Sequence, residues 1–392
     1  MKHTKIAAVL IVAALMLTLF VGCGEKTVSP LVSDNPDTTE GATETAGSTS
    51  PADTMNTAGA YASLEPDTVV LTIEGNDITW DKLFYLINYS VGNIEQQGGQ
   101  ITDWSAKYAD DITYEDYVLD SAVNYTLQDE AIVYGAEQLG VTLTDEEQSE
   151  VQNDWDAQVE AAGSEDAFIA TLEDQFCNKD IYMDLVGGSQ LAKVCFDELY
   201  GEEGAKLTDE EINEYTAGDG YMMAKHILML TTKTDADGNQ TDMTNAEKAQ
   251  VHEKMEEIIS QLDNYQGDAF DAFFDELMNA NSEDPGVSGY PQGYLFQSGD
   301  MVGEFEAATT ALDIGQVSDI VETDYGYHII YRIPINYEIM PMSYANYGTY
   351  SLRYITALMM FNAVQDVWLN SLDITYSDDF NTIELSKIFA VG

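Results

Sequence analysis

Two short apolar runs, each with a histidine at its centre, constrain the fold of this chain more than any other feature. The first run covers residues 224–229 (AKHILM) and the second covers residues 325–330 (YGYHII). Short apolar runs rich in Ile and Leu are typical of buried β-strands. The chain has only four histidines in 392 residues. We predict that His226 and His328 lie on neighbouring strands and face each other inside a pocket.

The composition indicates a folded and strongly acidic protein. Hydrophobic residues make up 45% and aromatic residues 10% of the chain, which is enough apolar material for two domains with cores. Against 15 Lys and Arg stand 70 Asp and Glu, a formal net charge of −55. This charge repels nucleic acid and anionic lipid, so we expect neither as an electrostatic partner. We interpret the carboxylates as solvated helix faces, with loose divalent-cation binding as the alternative.

The first residues have the three parts of an export signal. Two lysines precede an apolar run over residues 6–21, and a small residue precedes Cys23. Residues 19–23 (LFVGC) resemble a bacterial lipobox. That resemblance implies a signal peptide over residues 1–22 and lipidation of Cys23; an uncleaved signal anchor is the alternative. We predict an extracytoplasmic protein that is lipid-anchored to the outer face of the cytoplasmic membrane.

Residues 23–65 are predicted to form a lipid-anchored flexible tether. They are rich in Ser, Thr, Pro, Gly, Ala and Asp and contain few large apolar residues. Such a stretch cannot bury enough surface to offset its ordering entropy. We expect it to separate the membrane from the folded part of the chain.

A mostly helical region is predicted over residues 66–217. It opens with a strand over residues 69–73, a tight turn, and Thr79 as the N-cap of a helix that begins near Trp80. Two later helices begin with a threonine that is followed three residues on by a glutamate. These capping boxes are Thr144 with Glu147 and Thr208 with Glu211.

Cys177 and Cys195 both lie in helical patterns of this region. A disulfide between them is permitted outside the cytoplasm. The alternative is that each is a small buried hydrophobic residue.

The pattern changes over residues 218–336 to strand, helix, helix, loop, helix, strand, strand. Apolar stripes predict helices near residues 245–262 and 270–277, followed by a turn-rich stretch at 281–296. A final hairpin is predicted over residues 318–333. We therefore predict a second domain with a small sheet.

Five motifs of this second domain resemble the parvulin class of peptidyl-prolyl cis-trans isomerases. They are KHIL (225–228), SEDPG (282–286), GDMVGEFE (299–306), GQVS (315–318) and TDYGYHII (323–330). The resemblance implies an α+β fold, in which a small antiparallel sheet surrounded by helices is inserted into a mostly helical domain. The export signal and the helical region resemble the PrsA/SurA class of extracytoplasmic foldases, which implies a chaperone role for residues 66–217.

The resemblance implies a substrate-binding pocket for the proline ring. Its residues would be Met301 and Phe305, with Leu295 and Phe296 from the preceding loop. Without the family motifs, Met301 and Phe305 would be interpreted as core packing, because they lie four residues apart on one helix face.

The resemblance also implies catalytic residues. His226 and His328 would form the floor of the pocket, Asp284 would lie near the isomerising carbonyl, and Thr323 would hydrogen-bond to a histidine. Two alternatives remain: Asp284 opens a Pro-Gly turn and is explained by that turn alone, and two strand histidines can form a hydrogen-bonded core pair. No third His or Cys lies near them in the sequence, so we predict neither a metal ion nor a cofactor.

Residues 337–392 contain a helical apolar stripe that is too long to be left in water. The stripe consists of Leu358, Phe361, Val364 and Trp368. We predict that this segment returns to pack on the 66–217 region.

These patterns together predict a foldase that catalyses X–Pro isomerisation and assists unfolded or partly folded exported polypeptides. The alternative is a non-catalytic holding chaperone or a cell-surface interaction lipoprotein with an inactive parvulin fold. The loop over residues 231–242 lacks paired arginines, so a preference for phosphorylated substrates is not expected.

Overall fold

The computed structural model describes residues 55–109, 111–234, 238–344 and 350–390. The predicted signal peptide, Cys23 and most of the predicted tether lie outside these residues. The described residues divide into two compact units. The first combines residues up to Leu199 with those from Leu358 onward, and the second is Tyr200–Ala357. The predicted α+β class is confirmed, because long helices accompany small antiparallel sheets.

The N-terminal part of the first unit begins with a strand pair and continues as helices. Its strands are β1 (Val69–Ile73), β2 (Asn76–Thr79), β3 (Lys107–Ala109) and β4 (Ile112–Thr113). Its helices are α1 (Thr57–Tyr61), α2 (Trp80–Gly98), α3 (Tyr114–Leu139), α4 (Asp145–Ala162), α5 (Glu165–Glu173) and α6 (Lys179–Tyr200). Thr79 is the N-cap of α2 as predicted, but its hydroxyl donates to the Asp81 carboxylate and does not cap the helix backbone.

The second unit contains the predicted sheet and the helices that cover it. Its strands are β5 (Met222–Leu230), β6 (Thr232–Thr234), β7 (Gln240–Asp242), β8 (Tyr294–Phe296), β9 (Val321–Glu322) and β10 (Gly326–Ile333). Its helices are α7 (Asp209–Tyr215), α8 (Asn245–Asp263), α9 (Phe270–Asn281) and α10 (Gly303–Ala311). Both predicted capping boxes are confirmed, at the start of α4 and of α7.

Four of these strands form one antiparallel sheet in the order β8-β5-β10-β9. Ile330 lies opposite His226, and His328 lies opposite Leu228. Side chains along a strand alternate between the two faces of a sheet, so the even-numbered residues of β5, β8 and β10 share one face. We call it the histidine face, since it carries both histidines. The opposite face, which carries Lys225, is the lysine face.

The last part of the chain completes the core of the first unit. Its elements are α11 (Leu352–Leu369), β11 (Ile374–Tyr376) and α12 (Leu385–Ile388). β11 pairs antiparallel with β1, and Leu385 and Phe389 belong to the same buried cluster as Trp80 and Phe84. The Trp368 ring covers Gly135 of α3 so closely that a Cβ there would lie 2.3 Å from it. Only glycine therefore fits at that position.

The second unit contains more of the chain at both ends than the predicted 218–336 domain, and the contacts of Arg353 are one reason. Its guanidinium donates hydrogen bonds of 2.5 Å to Glu338 and to Asp209, and a further one to the carbonyl of Leu207. This side chain ties the segments before and after the sheet to one another.

Cys177 and Cys195 are buried and unpaired, so the alternative to a disulfide is the one observed. Burial raises the pKa of Cys177 to about 12 and that of Cys195 to about 11. Both therefore remain unreactive thiols. Among the residues that the structure describes, no helix is long and apolar enough for a membrane span.

Candidate active site

The two strand histidines lie next to each other on the histidine face. His226 and His328 are diagonal neighbours across the β5–β10 pair, with ring centroids 5.2 Å apart and rings inclined at 73°. Their exposed fractions are only 7% and 3%. The predicted juxtaposition is confirmed, because the register of two strands far apart in the sequence brings the rings together.

Asp284 joins this pair from the loop after α9. Its Oδ1 accepts a hydrogen bond of 2.9 Å from the backbone N–H of Gly286, which is the expected turn contact. Its Oδ2 also lies 2.9 Å from His226 Nε2 and accepts a hydrogen bond of 2.5 Å from the Tyr294 hydroxyl. We call the hydrogen-bonded groups around His226 and His328 the histidine network. Asp284 is both a turn residue and part of this network, so the two interpretations are not exclusive.

Hydrogen bonds from backbone N–H groups hold the Asp284 loop against β5. The N–H of Glu283 donates to the carbonyl of Leu228 at 2.7 Å, and the N–H of Leu228 donates to the Ser282 hydroxyl at 3.1 Å. The close approach of Tyr294 requires glycine in the loop, because a Cβ on Gly286 would lie 2.0 Å from the Tyr294 hydroxyl. The Asp-Pro-Gly sequence therefore permits both the turn and the contact.

The hydrogen bonds keep Asp284 ionised. Burial alone would raise its pKa, but the bonds from His226, Tyr294 and the Gly286 N–H outweigh burial and hold the pKa well below its usual range. An ionised carboxylate only accepts hydrogen bonds, so Nε2 of His226 carries the proton. Burial, and then the bond to Asp284, raises the pKa of Tyr294, which keeps its hydroxyl as a donor.

His328 is held neutral at physiological pH. Burial, and secondly the neighbouring His226, lowers the pKa of His328 to about 4. Its Nε2 is hydrogen-bonded to Thr323 Oγ1 at 2.9 Å, and that oxygen also accepts from the backbone N–H of Tyr325 at 3.2 Å. Thr323 thus fixes the orientation of the second imidazole, as the resemblance implied.

Phe305 of α10 packs directly on the histidines. Its ring centroid lies 5.1 Å from that of His226 and 5.6 Å from that of His328, both edge to face. The Phe296 ring centroid is 5.8 Å from that of Phe305, and Phe305 itself is only 2% exposed. Met301 is partly buried and packs against the same apolar cluster. Phe305 is therefore the base of this cluster, and Met301 is one of its partly buried members.

The structure does not bring Leu295 to this group. The stretch that the sequence suggested as a loop is strand β8, whose residues alternate between the sheet faces. Tyr294 and Phe296 pair with Ala224 and Met222 and belong to the Phe305 cluster, whereas the buried Leu295 points to the lysine face. Tyr294 is the site residue that was not predicted. Because side chains two residues apart on a strand share a face, Phe296 would have indicated it.

The described residues contain no group of three or more His, Cys, Asp or Glu side chains placed to hold a metal ion. The polar groups of the site are bonded to one another. Only Nδ1 of His226 and Nδ1 of His328 are buried without a hydrogen-bond partner among the site's described atoms.

Residues 226–333 match the family model described as Rotamase, PPIC-type PPIASE domain. The chain is 37% identical over 131 residues to foldase protein PrsA of Geobacillus sp. (strain WCH70), covering 33% of this chain and 38% of the relative. It is 30% identical over 191 residues to foldase protein PrsA of Oceanobacillus iheyensis, covering 48% and 52%. The chain therefore spans about two fifths to one half of the length of these relatives. With the PrsA protein of Caldanaerobacter subterraneus the identity is 26%, covering 67% and 72%.

Solved structures similar to the chain include PrsA from Bacillus cereus, with a TM-score of 0.28, 21% identity, and coverage of 71% of this chain and 96% of that chain. For PrsA from Bacillus subtilis the TM-score is 0.24 and the identity 19%, with coverage of 78% and 91%. The family match falls on the residues that carry the histidine network. The chain thus contains a PPIC-type isomerase domain of the parvulin family, within a polypeptide related to the PrsA foldases.

Proposed function

We propose that the parvulin-type domain catalyses cis–trans isomerisation of X–Pro peptide bonds, in a foldase that assists exported polypeptides. One observation carries this proposal. Four side chains from distant parts of the sequence converge on one sheet face: the hydrogen-bonded His226 and Asp284, and the rings of His328 and Phe305 that pack on His226.

The reaction requires a particular kind of site. Rotation about an X–Pro bond meets a barrier of about 18–20 kcal/mol, because the planar amide is stabilised by resonance. No covalent bond breaks, so the catalyst needs only to stabilise the twisted amide relative to both planar forms. Neither a cofactor nor a nucleophile is needed for this.

The apolar cluster provides the seat for the proline ring. Met301, Val302 and Val321 are partly buried and pack over the Phe305 base. Resonance moves charge from the amide nitrogen to the oxygen, so the planar amide is more polar than the twisted one. Apolar surroundings therefore disfavour the planar forms more than the transition state.

Asp284 supplies the electrostatic part of the proposed mechanism. In this proposal the substrate carbonyl lies beside its carboxylate, which three donors keep ionised and in place. A fixed negative charge near the carbonyl oxygen disfavours the planar amide, whose oxygen carries the most negative charge. The neutral His328 leaves that charge uncompensated on its side.

The cellular setting follows from the N-terminal sequence. We propose that the chain is exported, lipidated at Cys23 and held at the outer face of the cytoplasmic membrane by the 23–65 tether. Its partners would be unfolded or partly folded exported polypeptides. Metabolic labelling with a palmitate analogue tests the anchor: label is expected on the wild-type chain and is lost in Cys23→Ala.

A protease-coupled assay with a proline tetrapeptide tests the activity. Asp284→Asn keeps the shape of the side chain but removes the charge, and we expect kcat/KM to fall about 100-fold, the order seen when one electrostatic contact to a transition state is removed. Asp271→Asn is the matched control. That residue pairs with Lys225 on the lysine face, so its kcat/KM should be unchanged.

The same preparations separate the enzyme from a holding chaperone. If the wild-type chain suppresses aggregation of an unfolded client but does not accelerate the tetrapeptide, the catalytic proposal is wrong. Equal activity of Asp284→Asn and wild type would remove Asp284 from the mechanism.

A further inference from the structure

A groove lined by tyrosines lies on the first unit, between α2 and α3, and has a volume of about 280 Å³. We call it the tyrosine groove. The lining residues on α3 follow one another at a spacing of four, and those on α2 form the pairs Tyr89 with Asn93 and Ser90 with Ile94. Each helix therefore contributes one face to the groove. Its lining includes Tyr89, Ser90 and Asn93 of α2 and Tyr117, Ser121 and Tyr125 of α3.

The aromatic rings of the groove form two contacting pairs. Tyr89 and Tyr125 meet edge to face with centroids 5.8 Å apart, and Tyr108 of β3 stacks on Tyr117 at 3.9 Å. Tyr108 is 37% exposed. Burial, and secondly the neighbouring Tyr89 and Tyr117, raises the pKa of Tyr125 to about 12. The groove therefore presents aromatic faces and a neutral hydroxyl that remains a donor.

The polar groups of the groove are uncharged and only partly used. Among the described residues, no Asp, Glu, Lys, Arg or His lines it. Ser90 at its floor donates to the carbonyl of Leu86 at 2.9 Å. Within the described residues, the Asn93 amide and the Ser121 hydroxyl have no hydrogen-bond partner. A charged ligand would find no counter-charge here, while a neutral ligand rich in acceptors would find free donors.

We propose that the tyrosine groove binds a proline-containing, extended stretch of an unfolded polypeptide. Proline-rich segments form a preorganised polyproline II helix that docks on aromatic-lined grooves at low entropic cost. Each proline adds a carbonyl acceptor but no N–H donor. This chemistry complements the groove, which offers ring faces and amide or hydroxyl donors without a carboxylate acceptor.

The size of the groove limits the ligand. Its volume is just below the roughly 300–1,000 Å³ of pockets that hold drug-sized molecules. It holds a few residues of a chain and excludes a folded domain. The first unit would thus retain proline-containing segments at a site separate from the catalytic network. This inference takes polypeptides as the ligand class from the proposed function, but it does not require catalysis.

Fluorescence anisotropy on the full chain tests the proposal. The probe is a fluorescein-labelled peptide of alternating Ser and Pro, and its reference is a peptide of alternating Ser and Ala. We expect the proline peptide to bind more tightly. Tyr89→Ala and Asn93→Ala should each weaken it by roughly tenfold, the loss of about 1.4 kcal/mol of aromatic contact or hydrogen bonding.

Three controls make the result specific. Tyr376→Ala removes an exposed tyrosine of the same unit outside the groove and should leave binding unchanged. Tyr89→Phe keeps the ring and should retain most of the affinity, with thermal melts verifying that every variant is folded. Tetrapeptide kcat/KM should be the same in the groove variants and the wild type.

Several outcomes would overturn the proposal. The first is equal binding of the two peptides, and the second is normal binding in both folded groove variants. The third is displacement of the probe by the oligosaccharide chitohexaose at a lower concentration than by unlabelled peptide. Loss of binding in Asp284→Asn would place the peptide at the catalytic network instead. If the tetrapeptide assay fails while proline-selective groove binding persists, the proposed isomerase function is wrong and the groove proposal stands.

Discussion

The two faces of the β8-β5-β10-β9 sheet are built from the same strands but solve the burial of polar groups differently. On the lysine face the polar group is Lys225, which is 5% exposed. Its Nζ lies 3.0 Å from Asp271 and 2.7 Å from Asp275, and on the same face the Phe274 ring packs on Tyr331 with centroids 5.0 Å apart. The charge there is paired.

On the histidine face the polar groups are not fully paired. Asp284 accepts from three donors, yet each imidazole has one bonded nitrogen and one buried nitrogen without a partner in the described part of the site. Buried polar atoms without partners are costly and rare in native proteins. The lysine face balances its buried charge with carboxylates, whereas the histidine face keeps two imidazole nitrogens without a partner inside the proposed site.

Matched truncation of one phenylalanine on each face should give the largest effects. Phe305 and Phe274 are 2% and 0% exposed, so Phe→Ala at either should reduce the free energy of unfolding by about 3–5 kcal/mol. Urea denaturation followed by circular dichroism measures this loss. The faces should then differ in activity, because only Phe305 contacts the histidines.

The milder Phe→Leu changes keep both variants folded, at a cost of about 1–2 kcal/mol each. We expect kcat/KM on the tetrapeptide to fall for Phe305→Leu and to stay at the wild-type value for Phe274→Leu. An equal loss of activity at both positions would contradict the assignment of function to one face.

The pH dependence of stability should be the next largest effect. The pKa of His328 is about 4 in the folded chain, against an ordinary value of 6.5. As pH falls from 6.5 towards 4, the unfolded chain takes up a proton that the folded chain does not bind, so folding stability decreases. The full shift corresponds to roughly 3 kcal/mol.

His328→Gln should flatten the stability profile in this pH window relative to the wild type. Denaturation midpoints measured at intervals between pH 4 and 7 test this prediction. His252→Gln provides the control substitution, since the His252 side chain is 44% exposed, and it should not reproduce the flattening seen with His328→Gln. Parallel profiles for His328→Gln and the wild type would show that His328 is not held neutral by its surroundings.

Replacement of the buried lysine should have the smallest effect on activity. Lys225→Met fills a similar volume but removes the cation that pairs with Asp271 and Asp275, whose side chains are 60% and 32% exposed. Removing one partner of a buried ion pair is destabilising, by up to about 3–5 kcal/mol, so we expect a less stable variant with unchanged kcat/KM. Thermal denaturation and tetrapeptide kcat/KM test it. A loss of activity would mean that the two faces are not independent.

The local elements were predictable because their signals are local. The capping boxes at Thr144 and Thr208, the strand before Trp80 and the two histidine strands each depend on residues within a few positions of one another. The Asp-Pro-Gly turn is of the same kind. The contact of Asp284 with His226 could be expected only from the family motifs, since the sequence of a turn indicates its own backbone hydrogen bonds and not a distant partner.

The misplaced Leu295 and the missed Tyr294 have one cause. The stretch reads as a turn-rich loop, whereas pairing with β5 makes it a strand and thereby places residues 294 and 296 on the histidine face. A register shift of one residue would reverse that assignment. The pairing with β5, and not the three residues themselves, decides which sheet face each side chain occupies.

Residue order was enough to specify many of the helices, the two strands that carry the histidines and the residues at which several helices begin, because those properties arise from short-range periodicity and capping. The proposed site residues came from the family motifs. The joining of β11 to β1, the donation from Tyr294 to Asp284 and the strand register that places the two predicted imidazoles 5.2 Å apart were decided only in the folded molecule. Each joins residues distant in sequence, and burial, pairing register and steric fit select such contacts only after the whole chain has packed.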